Sequence, residues 1–317
     1  MAKNINDHDY AESVKKNNFL AINCKNCGYW HVHPTPTENE ISSYYEKQYY
    51  ENLGDNRSMT DKLNDPDGFY EIQYEDRLRR IEKVFPGKLP RSVIDIGAGY
   101  GDFLSFMKKN KWEVQGIEPS KHACQNIKDK SLNIKLLDIG NISDAEFKPA
   151  ALITLNNVLE HLREPRKVLE IIKEKFLLPK GILSIIVPND FSLLQGIVMK
   201  TTLKNNPDRQ YYWLEPPAHL NYWSTGTIGG FLKKCGFKIL YMSVDFPIDL
   251  FLLMGEDYVT DSSIGRRTHL KRVRFEKHIR ETKKHEFKDS LYENFSKAGI
   301  GRNLQVICAA SKDGRAA

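Results

Sequence analysis

The run Val93-Ile-Asp-Ile-Gly-Ala-Gly-Tyr-Gly-Asp-Phe-Leu104 decides the fold. A β-branched apolar stretch meets an acid, three glycines follow at every second position, and an apolar-periodic stretch with Phe103, Phe106 and Met107 then begins. That order predicts strand, tight turn and helix. The turn needs glycine because a Cβ would bar both the positive φ angles and the close approach of a ligand to the backbone. Spacing separates two kinds of nucleotide-binding corner. A dinucleotide fingerprint is G-x-G-x-x-G and seats a pyrophosphate on a bare helix N-terminus. Here the glycines are Gly97, Gly99 and Gly101, and Asp102 stands where the third dinucleotide glycine belongs. A carboxylate there opposes a pyrophosphate and tolerates a cationic, zwitterionic ligand, which argues against a dehydrogenase.

Three further motifs follow in order: Gly116-Ile-Glu-Pro-Ser120, Leu137-Asp-Ile139 and Asn156-Asn-Val-Leu-Glu-His-Leu162. Together with Asp95-Ile-Gly-Ala-Gly-Tyr-Gly101 they resemble the motifs of class I S-adenosylmethionine-dependent methyltransferases. The resemblance implies an α/β fold, a doubly wound, mostly parallel seven-stranded Rossmann-like sheet. It also implies that Gly97, Gly99 and Gly101 cradle the methionine part of S-adenosylmethionine, with Asp95 organising the loop. Glu118, beside Pro119 and about 20 residues beyond the glycines, is placed to accept both ribose hydroxyls. By resemblance Asp138 takes the adenine amino group, Ile139 lies alongside the ring, and Asn156 meets the methionine amine or carboxylate.

The chain has 317 residues, enough for one large domain or a core with additions. Lys and Arg number 47 against 41 acids, a formal charge of +6. That mild excess suits a phosphorylated or acidic partner and does not by itself imply nucleic acid. Five cysteines with a single close pair make no secreted disulfide framework, and no charged-then-apolar leader opens the sequence, so a cytoplasmic location is expected. The most apolar stretch, 247–255, is interrupted by Asp249 and is too short to span a bilayer.

Strands are expected near 92–96, 113–117, 133–137, 151–155, 182–187 and 237–244, with helices over 67–85 and from Asp102, Ser120, Pro165 and Ser224. This alternation predicts a parallel sheet with right-handed crossovers. The resemblance implies a seventh strand antiparallel to the sixth. The candidate is 303–310, some sixty residues on, so a helical cap over 245–302 is expected to interrupt the hairpin. The domain plan is therefore 1–66, a small N-terminal module; 67–244, the cofactor-binding core; 245–302, the cap; and 303–317, the last strand and tail.

The N-terminal module carries Cys24-Lys-Asn-Cys27-Gly-Tyr-Trp-His31-Val-His33. Two thiolates and two imidazoles can complete a tetrahedral zinc site, the His-x-His spacing setting both rings on one strand face. With Pro34-Thr-Pro-Thr37 and the tyrosine pairs Tyr44-Tyr45 and Tyr49-Tyr50, the segment resembles the N-terminus of methyltransferases that modify sugars and secondary metabolites. Many of those carry a second cysteine pair upstream; here 1–23 has none, and ordinary packed cysteines in a degenerate ribbon are the competing interpretation. Tyr70 and Tyr74, on the predicted 67–85 helix, either cover the cofactor or pack on the sheet.

Methyl transfer from a sulfonium chiefly requires alignment, worth effective molarities of about 10⁵ to 10⁸ M. A hydroxyl acceptor also needs a base, and histidine is the usual one near neutral pH. His161 follows the fourth strand and serves as base or loop holder. His219 lies in Trp213-Leu-Glu-Pro-Pro-Ala-His-Leu-Asn-Tyr-Trp223, where this family lines its acceptor pocket. The aromatic residues Tyr211, Tyr212, Trp213, Tyr222 and Trp223 suit sugar or base stacking, or plain packing. The basic stretch 266–280 is either a solvated helix face or a clamp for a phosphorylated acceptor. The expected acceptor is a small molecule such as a nucleotide-linked sugar, methylated at oxygen, with no membrane partner. The competing functions are methylation of RNA or protein, with the basic stretch as docking surface, and non-catalytic S-adenosylmethionine binding.

Overall fold

The computed structural model describes residues 8–44 and 67–311. In chain order the described strands are β1 (Tyr10–Lys16), β2 (Phe19–Cys24), β3 (Tyr29–Val32), β4 (Ser92–Ile96), β5 (Glu113–Glu118), β6 (Asn133–Leu136), β7 (Ala150–Asn156), β8 (Leu177–Pro188), β9 (Asn221–Tyr222), β10 (Phe237–Val244) and β11 (Asn303–Ala310). The described α-helices are α1 (Glu38–Tyr44), α2 (Phe69–Val84), α3 (Asp102–Lys109), α4 (Lys121–Gln125), α5 (Pro165–Ile171), α6 (Leu193–Lys200), α7 (Ile228–Lys234), α8 (Asp249–Leu253), α9 (Ser262–Glu281) and α10 (His285–Lys297).

Two compact units divide the chain: 1–69 with 188–231 and 243–304, and 70–187 with 232–242 and 305–317. The second holds the greater part of a seven-stranded sheet in the order β6-β5-β4-β7-β8-β11-β10. β4 through β8 pair in parallel, in the register Val93↔Val114 and Val93↔Leu152. β10 and β11 run antiparallel, since Asp245 N–H bonds Asn303 O at one end and Ser311 N–H bonds Gly236 O at the other, both 2.8–2.9 Å. The expected doubly wound sheet is therefore present, and α8, α9 and α10 lie between its last two strands in sequence.

Burial explains the strand sequences. β4 is buried along its whole length, which is why Val93, Ile94 and Ile96 fall on both of its faces instead of alternating with exposed polar residues. Leu78 and Ile81 of α2 and Phe103, Leu104 and Met107 of α3 pack with Val93, Leu152, Ile182 and Ile307 in one cluster. Tyr74 stands edge-on to Phe103 with ring centroids 5.4 Å apart, so it packs on α3. Pro165 opens α5, as expected, and the helix loosens into a π-helical turn over Ile172–Phe176 before β8. β8 starts five residues before the expected 182. Its Pro179-Lys-Gly181 break is absorbed as a register shift against β7, with Gly181 close enough that a Cβ would sit 2.9 Å from Ala151 O. The expected helix at Ser224 begins at Ile228, Ser224 forming a turn in which its N–H bonds Thr227 Oγ1 at 2.9 Å.

The first unit holds a four-stranded sheet, β1-β2-β3-β9, with β2–β3 and β3–β9 antiparallel. The two-residue β9, from far along the chain, pairs Trp30↔Tyr222 and His31↔Asn221. This pairing groups 188–231 with the N-terminal residues, so the unit boundary falls inside the expected 67–244 core. Of the expected 1–66 module, 8–44 are described; Tyr45, Tyr49 and Tyr50 lie outside the described residues. No described helix is long and apolar enough to cross a membrane.

Candidate functional site

The second unit gathers the candidate site residues at the carboxyl ends of β4, β5, β6 and β7, the place where open α/β sheets receive ligands. Gly97 and Ala98 donate their N–H groups to Ile117 O at 2.8 and 2.9 Å, which ties the glycine turn to the tip of β5. Gly97, Gly99 and Gly101 all have positive φ, at 76°, 55° and 77°. Their surroundings differ. A Cβ on Gly97 would lie 2.4 Å from Val158 Cγ2, and one on Gly101 2.7 Å from Leu132 Cδ1. At Gly99 a Cβ would meet no atom of the described residues within 4 Å. Two glycines therefore serve packing, and the middle one keeps a bare patch of backbone open.

Glu118 faces that patch. Its Oε2 accepts the Gly99 N–H at 2.7 Å and its Oε1 accepts the Ser120 N–H at 2.8 Å, across Pro119. Burial raises the Glu118 pKa, while the Ser120 and Gly99 N–H groups oppose the rise. Each oxygen keeps capacity to accept another hydrogen bond. Leu137 N–H bonds Glu118 O at 3.1 Å and so draws the end of β6 alongside. Asp138 comes next and is exposed; its Oδ1 accepts the Gly140 N–H at 2.7 Å, with Ile139 half-buried beside it. Asp95 is buried, and its Oδ1 accepts from Thr154 Oγ1 at 2.6 Å and Asn156 Nδ2 at 3.0 Å. Burial pushes its carboxyl up to about 7 against the pull of those two donors. Asn156 thus engages Asp95 through its side chain. Thr154 was not among the expected residues; its signal is the two-residue spacing from Asn156, which sets both on one face of β7.

Residues 69–241 match the family model described as a methyltransferase domain, more than half of the chain. The chain belongs to the methyltransferase-domain family. No curated protein matches its sequence. Among solved structures it resembles the plantazolicin methyltransferase BamL in complex with a triazolic desmethylPZN analogue and SAH, at 14% identity, TM-score 0.50, covering 86% of this chain and 95% of that one. The plantazolicin methyltransferase BpumL with a pentazolic desmethylPZN analogue and SAH gives 14% identity, TM-score 0.50, and 85% and 94% coverage. A SAM-dependent methyltransferase from Archaeoglobus fulgidus gives 18% identity, TM-score 0.47, and 75% and 93% coverage. At such identities the likeness is one of fold.

The methyltransferase domain holds His161 at the end of a short 3₁₀ turn after β7, its Nε2 3.8 Å from Oε1 of the buried Glu160. That contact can orient the ring. In the other unit His219 is half-buried; its N–H bonds Glu215 O and its carbonyl accepts from Tyr222 Oη, both at 2.9 Å. Of the five aromatic residues expected as stacking surfaces, Trp213, Tyr222 and Trp223 are fully buried. Trp213 and Tyr222 cluster with Ala21, Trp30, Val32 and Leu214, so these rings are core. Trp223 packs 4.0 Å from Tyr29 between ring centroids. Tyr211 and Tyr212 keep part of their surface.

A polar cluster that sequence reasoning missed lies in the first unit. Asp249 is buried and its Oδ1 accepts from Tyr212 Oη at 2.5 Å and Tyr258 Oη at 2.7 Å. Burial and the Asp249 charge push both phenols far above their ordinary range, so they remain neutral donors. Its signal in the sequence is an acid inside the most apolar stretch of the chain. On α9, the basic face is partly neutralised: Arg267 bonds Glu256, Lys271 pairs with the same acid, and Arg266 meets Asp67 at 2.9 Å.

The expected metal ligands are rearranged. Among the described residues, ligand atoms of His8, Cys24, Cys27 and His31 lie within 4.8 Å of one another, and His33 is not in that set. β3 ends at Val32, so His33 lies past the strand and the one-face argument does not reach it. His8 arrives because Tyr10 pairs with Cys24 and Lys25 N–H bonds Asp9 O at 2.8 Å, carrying the residue before β1 to the cysteine turn.

Proposed function

We propose that this methyltransferase-domain enzyme transfers a methyl group from S-adenosylmethionine to a hydroxyl of a small acceptor, a nucleotide-linked sugar. The observation that carries the donor is the Glu118 carboxylate held over the open Gly99 backbone. A ligand lying on that glycine presents ribose hydroxyls to a carboxylate whose oxygens still accept, and Asp95, through Thr154 and Asn156, holds the strand ends around it. In this proposal Gly97 and Gly101 shape the turn, Asp138 and Ile139 meet the adenine, and Asn156 meets the methionine end. The fold likeness to methyltransferases holding SAH is consistent with it. The sugar class rests on the resemblance of residues 24–37 to the N-terminal segment of sugar-modifying methyltransferases, and the phosphorylated form on the net charge of +6.

In this proposal His219 is the base that takes the hydroxyl proton, and His161 holds the loop after β7. The test incubates the chain with methyl-labelled S-adenosylmethionine and a panel of nucleotide sugars, followed by mass spectrometry of the products. Labelled O-methyl sugar is expected. Cofactor binding by calorimetry with no label transfer to any sugar would leave the donor and overturn the acceptor. Absence of cofactor binding would overturn both.

A further inference from the structure

We propose that His8, Cys24, Cys27 and His31 form a tetrahedral zinc site that clasps the N-terminal sheet and, through β9, fixes the segment carrying His219. Zinc–sulfur distances near 2.3 Å and zinc–nitrogen distances of about 2.0–2.1 Å set ligand-to-ligand edges of roughly 3.3 to 3.8 Å. His8 Nδ1 lies 3.2 Å from Cys24 Sγ and 3.9 Å from Cys27 Sγ. All four ligand atoms lie within 4.8 Å of one another, so three elements of structure bring their donors together: the residue before β1, the cysteine turn after β2, and β3.

The His31 ring points independently to a ligand. Its Nδ1 lies 2.9 Å from Val32 O, and a carbonyl only accepts, so the proton resides on Nδ1 and the Nε2 lone pair is left for a metal. That Nε2 is buried without a hydrogen-bond partner among the described residues. A buried acceptor left so is costly, and coordination removes that cost. The Cys27 N–H lies 3.4 Å from Cys24 Sγ, and Gly28 closes the turn at φ 82°. A ligand set of two cysteines and two histidines selects zinc over magnesium or calcium, which take oxygen ligands.

The consequence extends past the ribbon. His31 is paired with Asn221 on β9, and Val32 N–H bonds Leu220 O at 2.8 Å, one residue from His219. A metal on His31 thus holds the strand against which the His219 segment is laid.

Full-length protein purified without chelators should contain stoichiometric zinc by elemental analysis. Cobalt exchanged into the site should show thiolate-to-metal charge transfer and tetrahedral d–d bands. His8→Ala should weaken zinc binding by more than about 100-fold, above the 10–100-fold that partners behind a ligand are worth. His33→Ala should retain the metal, and His8→Cys should restore it, which keeps the test decisive if His8→Ala does not fold. Chelation should speed amide exchange at residues 219–223 ahead of the second unit. Native protein that takes up neither zinc nor cobalt overturns the site. Loss of metal in His33→Ala with retention in His8→Ala overturns its ligand set, and unchanged exchange at 219–223 overturns the link to His219.

Discussion

Glu118 holds the glycine turn through the Gly99 and Ser120 N–H groups and keeps acceptor capacity beside them. It contributes a charged acceptor at the open glycine, and hydrogen bonds to charged groups are worth about 1.5–3 kcal/mol. Glu118→Ala should weaken S-adenosylmethionine binding by that order in calorimetry, and wild-type affinity in the variant would remove the carboxylate from the ribose. Asp95 carries a pH signature of its own. Its folded pKa near 7 lies above the unfolded value of 3.8, so the folded state binds more protons between them. Its contribution is complete below about pH 4 and is lost as pH rises through about 7. Asparagine keeps the Oδ1 that Thr154 and Asn156 bond. Asp95→Asn should therefore gain stability relative to wild type as pH climbs from about 4 to 7, by up to a few kcal/mol in denaturant titrations of the cofactor-free chain. A gap that stays constant with pH would mean the carboxyl is not held so high. The histidines differ in kind. His219→Ala should lower turnover about 10² to 10⁴-fold with cofactor affinity nearly unchanged, while His161→Ala should disturb both. The reverse pattern would exchange their roles.

At the scale of elements, the glycine turn was legible because φ constraints leave a mark in composition: Gly97, Gly99 and Gly101 all proved left-handed. What composition does not say is which of them faces protein and which faces ligand. Gly97→Ala adds a clash with Val158 to the left-handed strain of about 1–2 kcal/mol, and Gly99→Ala adds the strain alone. Denaturant unfolding should show Gly97→Ala as the more destabilised. Calorimetry should show Gly99→Ala losing more cofactor affinity than its stability loss accounts for; equal profiles in the two variants would deny the open patch its role. Strands β4 and β7 were readable because they are buried on both faces and rich in β-branched and aliphatic residues, and β10 because its residues alternate between more and less buried positions. The start of β8 was not, because Pro179 and Gly181 signal a break that the sheet tolerates as a register shift. Nor were β9 or the place of His8: a two-residue strand has no period, and a histidine sixteen residues from its cysteine partner has no spacing to reveal it. The aromatic density of 211–223 misled toward an open stacking surface because side-chain type does not distinguish a ligand platform from a core.

For the whole molecule, the order β8-β11-β10 has a consequence in time. A ribosome emits β10 about sixty residues before β11, the strand that must lie between it and β8. Until residues 303–310 emerge, β8 offers an unpaired edge and β10 has no neighbour in the sheet, a state open to wrong strand partners. Protein ending at residue 302 should accordingly be insoluble or lack a cooperative thermal transition, and a soluble, cooperatively folding truncation would show that the other strands suffice. The helices of 245–302 are thus made while the sheet is still open. The sheet closes only once residues 303–310 have emerged, and whatever delays β11 lengthens the interval in which a chaperone has something to hold.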